Sequence, residues 1–99
     1  MTRAVEIKKQ LEWSIRSQQN VLSIQEYVAN DNPIAAARVL EHIALAGKSL
    51  IEFPMTGKPW LREGTRKLVL TKFPYSIIYK LTATKVIVLA VAHQSRKHT

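Results

Sequence analysis

Residues 64–79 have the sequence GTRKLVLTKFPYSIIY, which predicts two β-strands joined by a short turn. β-Branched and aromatic residues dominate segments 66–70 and 75–81, and strands favour both residue types. Pro74 has no backbone N–H to donate to a sheet, so it fits the turn or the first position of a strand. Basic side chains occur at the entry, turn and exit of this pair, and we expect a partner to contact the protein near them: Arg66, Lys67, Lys72 and Lys80.

The segment before this pair predicts a short strand followed by two helices. Residues 10–13 favour a strand, and Ser14 is a suitable N-cap for a helix that ends near residue 30. Asn32 and Pro33 suit the cap and first position of a second helix, which ends near residue 53. Because the turn between the helices is so short, they must form an antiparallel hairpin. Residues 54–64 predict a loop.

Each helix has one apolar stripe at spacings of three and four residues, which predicts its buried face. The stripe of the first helix consists of Val21, Ile24, Tyr27 and Val28, widened by Leu22, and that of the second of Ala36, Leu40, Ile43, Leu50 and Phe53. Gly47 interrupts the second stripe. Since glycine inside a helix costs about 1 kcal/mol relative to alanine, Gly47 predicts a close approach between the two helices.

Residues 86–92, VIVLAVA, are apolar on both faces and predict the central strand of the sheet. We expect the strand at 75–81 on one side of it and the N-terminal strand on the other. The predicted fold class is α+β, with an N-terminal helical hairpin packed on one face of a small, mainly antiparallel β-sheet and the other face open. At 99 residues, the chain is expected to form a single domain, residues 1–99.

The residue types present exclude several kinds of site. The chain has no cysteine, so it has no disulfide, no thiol nucleophile and no cysteine-ligated zinc. The three histidines are too scattered for metal-ligand spacing, and neither a glycine-rich phosphate loop nor a serine triad is present. We therefore expect no metal and no cofactor. The sequence predicts neither a signal peptide nor a spanning helix, so we expect a cytoplasmic protein with no membrane partner.

The charge is concentrated in the second half of the chain. Residues 1–53 contain six basic and six acidic side chains, whereas residues 54–99 contain nine basic side chains and one acidic one. The formal net charge of +8 therefore belongs to the second half, which favours an anionic partner there. The alternative is a solvated face that serves solubility alone.

The second half also contains basic, aromatic and imidazole side chains that suit phosphate chemistry: Arg66, Lys67, Tyr75, Tyr79, His93, Arg96, Lys97 and His98. Cleavage of RNA through its 2′-hydroxyl needs a base, an acid and cations to hold the phosphate. Histidine and tyrosine can exchange protons, and arginine can hold phosphate through two hydrogen bonds. The alternative is that Tyr75, Tyr79 and His93 are partly buried sheet residues, satisfied by packing and a hydrogen bond.

In order along residues 13–96, the sequence resembles the RelE/ParE superfamily of toxins from type II toxin–antitoxin systems. The matching pieces are Val21, Ile24 and Tyr27-Val28; Asn32-Pro33 with Ala35-Ala36; Leu50-x-x-Phe53-Pro54-x-x-Gly57; Gly64-Thr65-Arg66-x-Leu68; Pro74-Tyr75-x-Ile77-x-Tyr79; and Val91-Ala92-His93-Gln94-x-Arg96. The resemblance implies a helical hairpin on a small antiparallel sheet. It also implies a cytoplasmic poison that a cognate antitoxin neutralises in a hetero-oligomer, and we expect an acidic, amphipathic antitoxin segment.

The superfamily divides by target. RelE-like members cut messenger RNA on the ribosome, whereas ParE-like members inhibit DNA gyrase and have no known nuclease activity. The Gly-Thr-Arg, Pro-Tyr-x-Ile-x-Tyr and Ala-His-Gln-x-Arg pieces are more similar to the ParE side. The resemblance therefore implies a growth inhibitor that binds and poisons DNA gyrase, with a ribosome-dependent mRNA endoribonuclease as the alternative. A plain nucleic-acid-binding or structural module is the third class.

The two targets imply different roles for the same residues. In a nuclease, Arg66 matches the arginine under the scissile phosphate and His98 is a candidate acid near the chain end. The full catalytic set for that case is Arg66, Tyr79, His93, Arg96 and His98. For binding to the target or the antitoxin, the candidates are Arg66, Lys67, Lys72, Tyr75, Arg96 and Lys97.

Overall fold

A computed structural model describes residues 8–94, and its elements follow the predicted order. They are β1 (Gln10–Trp13), α1 (Ile15–Asp31), α2 (Pro33–Glu52), β2 (Lys58–Pro59), β3 (Thr65–Val69), β4 (Tyr75–Leu81) and β5 (Lys85–His93). In this part of the chain, no helix is long and apolar enough to cross a membrane. The two-residue strand β2 lies in the segment predicted as a loop, where it pairs antiparallel with β3.

The five strands form one sheet in the order β1-β5-β4-β3-β2. Only β1 and β5 pair in parallel; the other neighbours are antiparallel. The apolar strand β5 thus lies between β4 and β1, as its sequence predicts. The two helices pack on one face of the sheet, chiefly through α1 on β5. The predicted α+β fold is confirmed.

Side-chain caps fix the ends of the helices where the sequence predicts them. Ser14 Oγ accepts a hydrogen bond from the backbone N–H of Ser17 at 3.0 Å and thereby caps α1. Asn32 Oδ1 accepts from the N–H groups of Ile34 and Ala35, both at 3.1 Å, and Pro33 begins α2. These bonds satisfy donors that have no partner inside the helix.

The core lies between the helical hairpin and the sheet. Its most deeply buried side chains include Ile43 and Leu50 of α2, Ile77 and Tyr79 of β4, and Val86 and Val88 of β5. Gly47 of α2 is also buried, but the close approach that it permits is to Trp13 of β1 and not, as predicted, to α1. A Cβ at Gly47 would lie 2.7 Å from Cζ2 of Trp13, so the missing side chain admits the indole ring of β1 against α2.

Three predicted core positions are wrong. Tyr27 is 75% exposed and Leu22 is 58% exposed, because α1 buries only a narrow stripe around Ile24. Phe53 is 63% exposed because it is the C-cap of α2, with φ −127° and ψ 67°, where the backbone leaves the helical path and the stripe no longer continues. Val39, which the predicted stripe omits, is buried instead.

Candidate functional site

The sheet face opposite the helices has a groove of about 410 Å³, here called the sheet-face groove. Its lining includes Arg16, Trp60, Arg62, Lys67, Ser76 and His93. Strand pairing produces this surface, because residues directly opposite each other on neighbouring strands share a face. Lys67 of β3 lies opposite Ile78 of β4, and Ile78 lies opposite Ala90 of β5, so a basic residue and two apolar residues share this face.

The loop between β2 and β3 forms one wall of the sheet-face groove. Thr65 holds this loop, because its Oγ1 donates to the carbonyl oxygen of Arg62 at 2.6 Å and accepts from the N–H of Arg62 at 3.2 Å. Gly64 has φ +85°, a conformation that glycine adopts without steric cost. The loop brings the Trp60 ring under Lys67, whose Nζ lies 4.0 Å from the ring centroid in a cation–π contact.

Tyr79 and Arg66 are cross-strand partners that both bind the loop following α2. Tyr79 Oη donates to the carbonyl oxygen of Pro54 at 2.7 Å and accepts from the N–H of Gly57 at 2.9 Å. Arg66 Nε donates to the carbonyl oxygen of Gly57 at 2.8 Å, and Nη2 donates to that of Met55 at 3.3 Å. Tyr79 is 0% exposed and its hydroxyl is hydrogen-bonded, so it corresponds to the alternative of a buried sheet residue satisfied by packing and hydrogen bonds.

Tyr75 and His93 lie at the other end of β4 and β5 as a cross-strand pair. Tyr75 is buried, and its ring contacts the half-buried His93 ring edge to face at a centroid distance of 5.3 Å. Tyr75 thus also lies away from the open face, because it alternates with Ser76 along the strand. Lys72 is exposed in the turn between β3 and β4. Arg96, Lys97 and His98 lie outside the described residues.

The pairing separates two of the predicted nuclease residues. Arg66 lies opposite Tyr79 and His93 lies opposite Tyr75. Arg66 and His93 are therefore offset by four positions along β4. Four residues of an extended strand span about 13 Å. The described residues also bring together no cluster of three histidine or carboxylate side chains that could hold a metal ion.

A second groove, of about 580 Å³, lies on the helical side and is here called the hairpin groove. Its lining is almost entirely apolar and includes Leu11 and Trp13 of β1, Val21 and Leu22 of α1, and Leu40 of α2. The exposed Leu22 side chain contributes apolar surface at its rim. Such a groove can take the apolar face of an amphipathic helix.

The edge of β5 beyond β1 is a third feature. β1 pairs only with residues 85–88 of β5. Beyond them, the backbone of β5 is contacted by the side chains of Ser14, the N-cap of α1, and Asn20 of α1. Ser14 Oγ donates to the carbonyl oxygen of Leu89 at 3.1 Å, and Asn20 Oδ1 accepts from the N–H of Val91 at 3.0 Å. Within the described part of the chain, residues 89–93 therefore have no strand neighbour on that side. This edge can accept an added strand if the Asn20 side chain moves aside.

Several of these residues were missed from the sequence. Trp60 gave no signal, because a two-residue strand ending in Pro59 does not produce a strand pattern. Gln94 belongs to the Ala-His-Gln-x-Arg motif, which does not by itself indicate its role. In the structure, its Nε2 donates to the carbonyl oxygens of Tyr75 at 2.7 Å and Leu70 at 3.0 Å and so fixes the β3–β4 turn. Ser76 did give a usable signal, since it is a polar residue inside an otherwise apolar strand segment.

Two solved structures similar to this chain come from toxin–antitoxin systems. The chain matches a protein of the chromosomal ParDE toxin–antitoxin system of P. aeruginosa with a TM-score of 0.77 and 21% identity, over 87% of this chain and 96% of the other. It matches a chain of the RelBE2 toxin–antitoxin complex of Mycobacterium tuberculosis with a TM-score of 0.60 and 23% identity, over 88% and 99%. At these identities the likeness establishes the fold.

Sequence comparisons establish the family. A Sinorhizobium fredii protein with the name "Putative toxin Y4kP" is 35% identical over 88% of this chain and 92% of its own length. Toxin RelE2 of Caulobacter vibrioides is 28% identical over 88% of this chain and 97% of its own length. The family model of the ParE toxin of the type II toxin–antitoxin system parDE matches residues 11–98. With its two helices on a five-stranded, mostly antiparallel sheet, this chain belongs to the ParE toxin family within the RelE/ParE superfamily and is a toxin of a type II toxin–antitoxin system.

Proposed function

We propose that this toxin inhibits growth by binding and poisoning DNA gyrase rather than by cutting RNA. The supporting observation is that the side chains of Tyr79 and Arg66 form hydrogen bonds with the backbone of residues 54–57. The Tyr79 hydroxyl is buried and engaged both as donor and as acceptor, so it has no access to a 2′-hydroxyl or a leaving oxygen. A binding toxin requires no proton transfer and tolerates this arrangement.

The family match supports the same proposal. The matching family model describes a ParE toxin, and the structural likeness to the ParDE system is greater than that to RelBE2. The alternative function, ribosome-dependent cleavage of mRNA, is favoured by the sequence similarity to toxin RelE2. It is also favoured by His93, which borders the sheet-face groove near the end of β5, although its ring contacts that of Tyr75.

We also propose where the cognate antitoxin binds. Its amphipathic segment places apolar residues in the hairpin groove, and its acidic residues face the basic second half of the toxin. An extended part of the antitoxin adds as a strand along residues 89–93, where β5 continues beyond β1. In the resulting hetero-oligomer, the helix would occupy the apolar groove and the strand would extend the sheet at an edge that has no strand neighbour within residues 8–94.

The target is tested by running two assays on the purified toxin: supercoiling by DNA gyrase and cleavage of mRNA on a programmed ribosome. We expect inhibition of supercoiling without mRNA cleavage. His93→Ala and His98→Ala should lower inhibitory potency less than about tenfold, because a peripheral contact contributes roughly 1 kcal/mol or less. In a nuclease, loss of an acid or base typically costs 10²–10⁴ in rate. A hundredfold loss of ribosome-dependent cleavage in His98→Ala would overturn the gyrase proposal.

A further inference from the structure

The floor of the sheet-face groove contains a buried hydroxyl without a partner. Ser76 is 1% exposed and lines the groove, and its Oγ is the one buried side-chain polar atom among residues 8–94 that forms no hydrogen bond. A buried polar group without a partner is unfavourable, and such groups are uncommon in folded proteins. A ligand that accepts a hydrogen bond from Ser76 would remove this penalty.

Three cationic residues line the same groove as this hydroxyl, and none of them forms an ion pair within residues 8–94. They are Arg16 of α1, Arg62 of the β2–β3 loop and Lys67 of β3, and among the described residues that line the groove none is acidic. The two ion pairs within residues 8–94 are Lys8–Glu52 and Lys85–Glu12, and neither involves these three cations. The groove therefore combines three positive charges with a donor hydroxyl, the groups from which proteins make most of their phosphate contacts.

We propose that the sheet-face groove binds the phosphate backbone of DNA, with Ser76 Oγ donating to a phosphate oxygen and Arg16, Arg62 and Lys67 neutralising its charge. This inference rests on the proposed function, because gyrase brings DNA to the toxin. The groove volume is at the small end of ligand sites, so it takes a segment of one strand rather than enclosing a duplex.

An acidic peptide is the competing occupant, and the position of the groove disfavours it. The groove lies over β3, β4 and β5 in the middle of the sheet, where β4 pairs on both sides. An extended peptide there has no free sheet edge from which to gain main-chain hydrogen bonds. The apolar surface that an amphipathic segment needs lies in the hairpin groove, on the opposite side of the sheet.

The proposal is tested by measuring the anisotropy of a fluorescent DNA duplex titrated with the toxin alone, between 50 and 200 mM salt. For the wild type, the logarithm of affinity should fall with the logarithm of salt concentration with a slope of about −2 to −3 for three phosphate contacts. Arg62→Gln and Lys67→Gln should each reduce that slope by about one. Arg38→Gln removes the same charge from an exposed position on α2 and should leave the slope unchanged.

Ser76→Ala separates a ligand role from a structural role. It should weaken DNA binding about tenfold, as expected for a lost hydrogen bond to a charged group. It should leave Tm unchanged or raised, because the hydroxyl has no hydrogen-bond partner among residues 8–94. A lowered Tm in Ser76→Ala would overturn the proposal, as would equal losses of affinity in Lys67→Gln and Arg38→Gln.

Competitors identify the occupant. The proposal requires unlabelled duplex to displace the probe more effectively than RNA of the same sequence or polyglutamate of the same total charge. Stronger competition by RNA would indicate an RNA site, and stronger competition by polyglutamate would indicate an acidic peptide site; either result overturns a DNA site. DNA binding is measured without gyrase, so its failure is distinguishable from failure to inhibit supercoiling.

Discussion

Tyr79 illustrates at the residue scale how a side chain that suggests catalysis can instead maintain the fold. Its ring belongs to the core, and its hydroxyl joins the carbonyl of Pro54 to the N–H of Gly57. Gly57 must be small here, because a Cβ would lie 2.7 Å from both Cε1 and Oη of Tyr79. The hydroxyl, the glycine and the neighbouring Arg66 therefore fix one conformation of the loop that leads from α2 into β2.

We predict that Tyr79→Phe lowers the free energy of unfolding by about 1–3 kcal/mol, because the N–H of Gly57 and the carbonyl of Pro54 lose their shared partner. Urea denaturation measures the change, and hydrogen exchange should show faster exchange at the amide of Gly57. Tyr27→Phe is the matched control, since Tyr27 is 75% exposed and its change should remain within about 0.5 kcal/mol. Equal stability of Tyr79→Phe and Tyr27→Phe would mean that the Tyr79 hydroxyl does not hold the loop.

At the scale of elements, the contact between β1 and α2 depends on the pair formed by Trp13 and Gly47. The Trp13 indole packs where a helix side chain would normally project, and it also lines the hairpin groove. The pair therefore connects a packing requirement of the core to the shape of the surface proposed for the antitoxin.

We predict that Gly47→Ala destabilises the toxin by about 1–3 kcal/mol, although alanine is the better helix former by about 1 kcal/mol. The reason is steric, because the added methyl would lie 2.7 Å from the ring of Trp13. Thermal and urea denaturation of Gly47→Ala, Trp13→Leu and the double variant form a double-mutant cycle. The penalty of Gly47→Ala should largely vanish in the Trp13→Leu background; an undiminished penalty would show that another contact requires glycine.

At the scale of the whole molecule, charge and apolar surface are distributed over different faces. The sheet-face groove is lined by cations, and the hairpin groove on the opposite side is lined almost entirely by apolar side chains. Arg62 and Lys67 of the groove belong to residues 54–99, which contain nine basic side chains and one acidic one, whereas Arg16 comes from α1. An acidic, amphipathic partner can engage both kinds of surface.

We predict that the antitoxin associates with this toxin at a rate that falls steeply with added salt, because opposite charges accelerate the encounter. Stopped-flow fluorescence of Trp13 and Trp60 measures the rate, and Leu22→Ala should change mainly the dissociation rate because it removes apolar contact surface without changing charge. An association rate that stays constant from low to high salt would rule out steering by charge.

Most of the fold could be predicted because its determinants are local in the sequence. Caps at Ser14 and Asn32 act within three residues, and the apolar segment 86–92 identifies a buried central strand by composition alone. The strand order then follows, because short turns make consecutive strands neighbours and the apolar strand β5 needs a strand on both sides. The predicted stripes failed at Tyr27 and Phe53, since a periodic pattern does not state how much of a helix its neighbours cover.

The sequence by itself determined the α+β architecture, the basic second half of the chain and the family resemblance. The tertiary structure decided which side chains meet, because strand pairing brings together residues that are distant in sequence. A bulge in β5 places Ile78 opposite Ala90 and Tyr79 opposite Val88, so Leu89 is the extra residue and the alternation of faces shifts there. A uniformly apolar strand gives no sign of such a shift, and the shift decides which residues of β5 face the groove and which face the core.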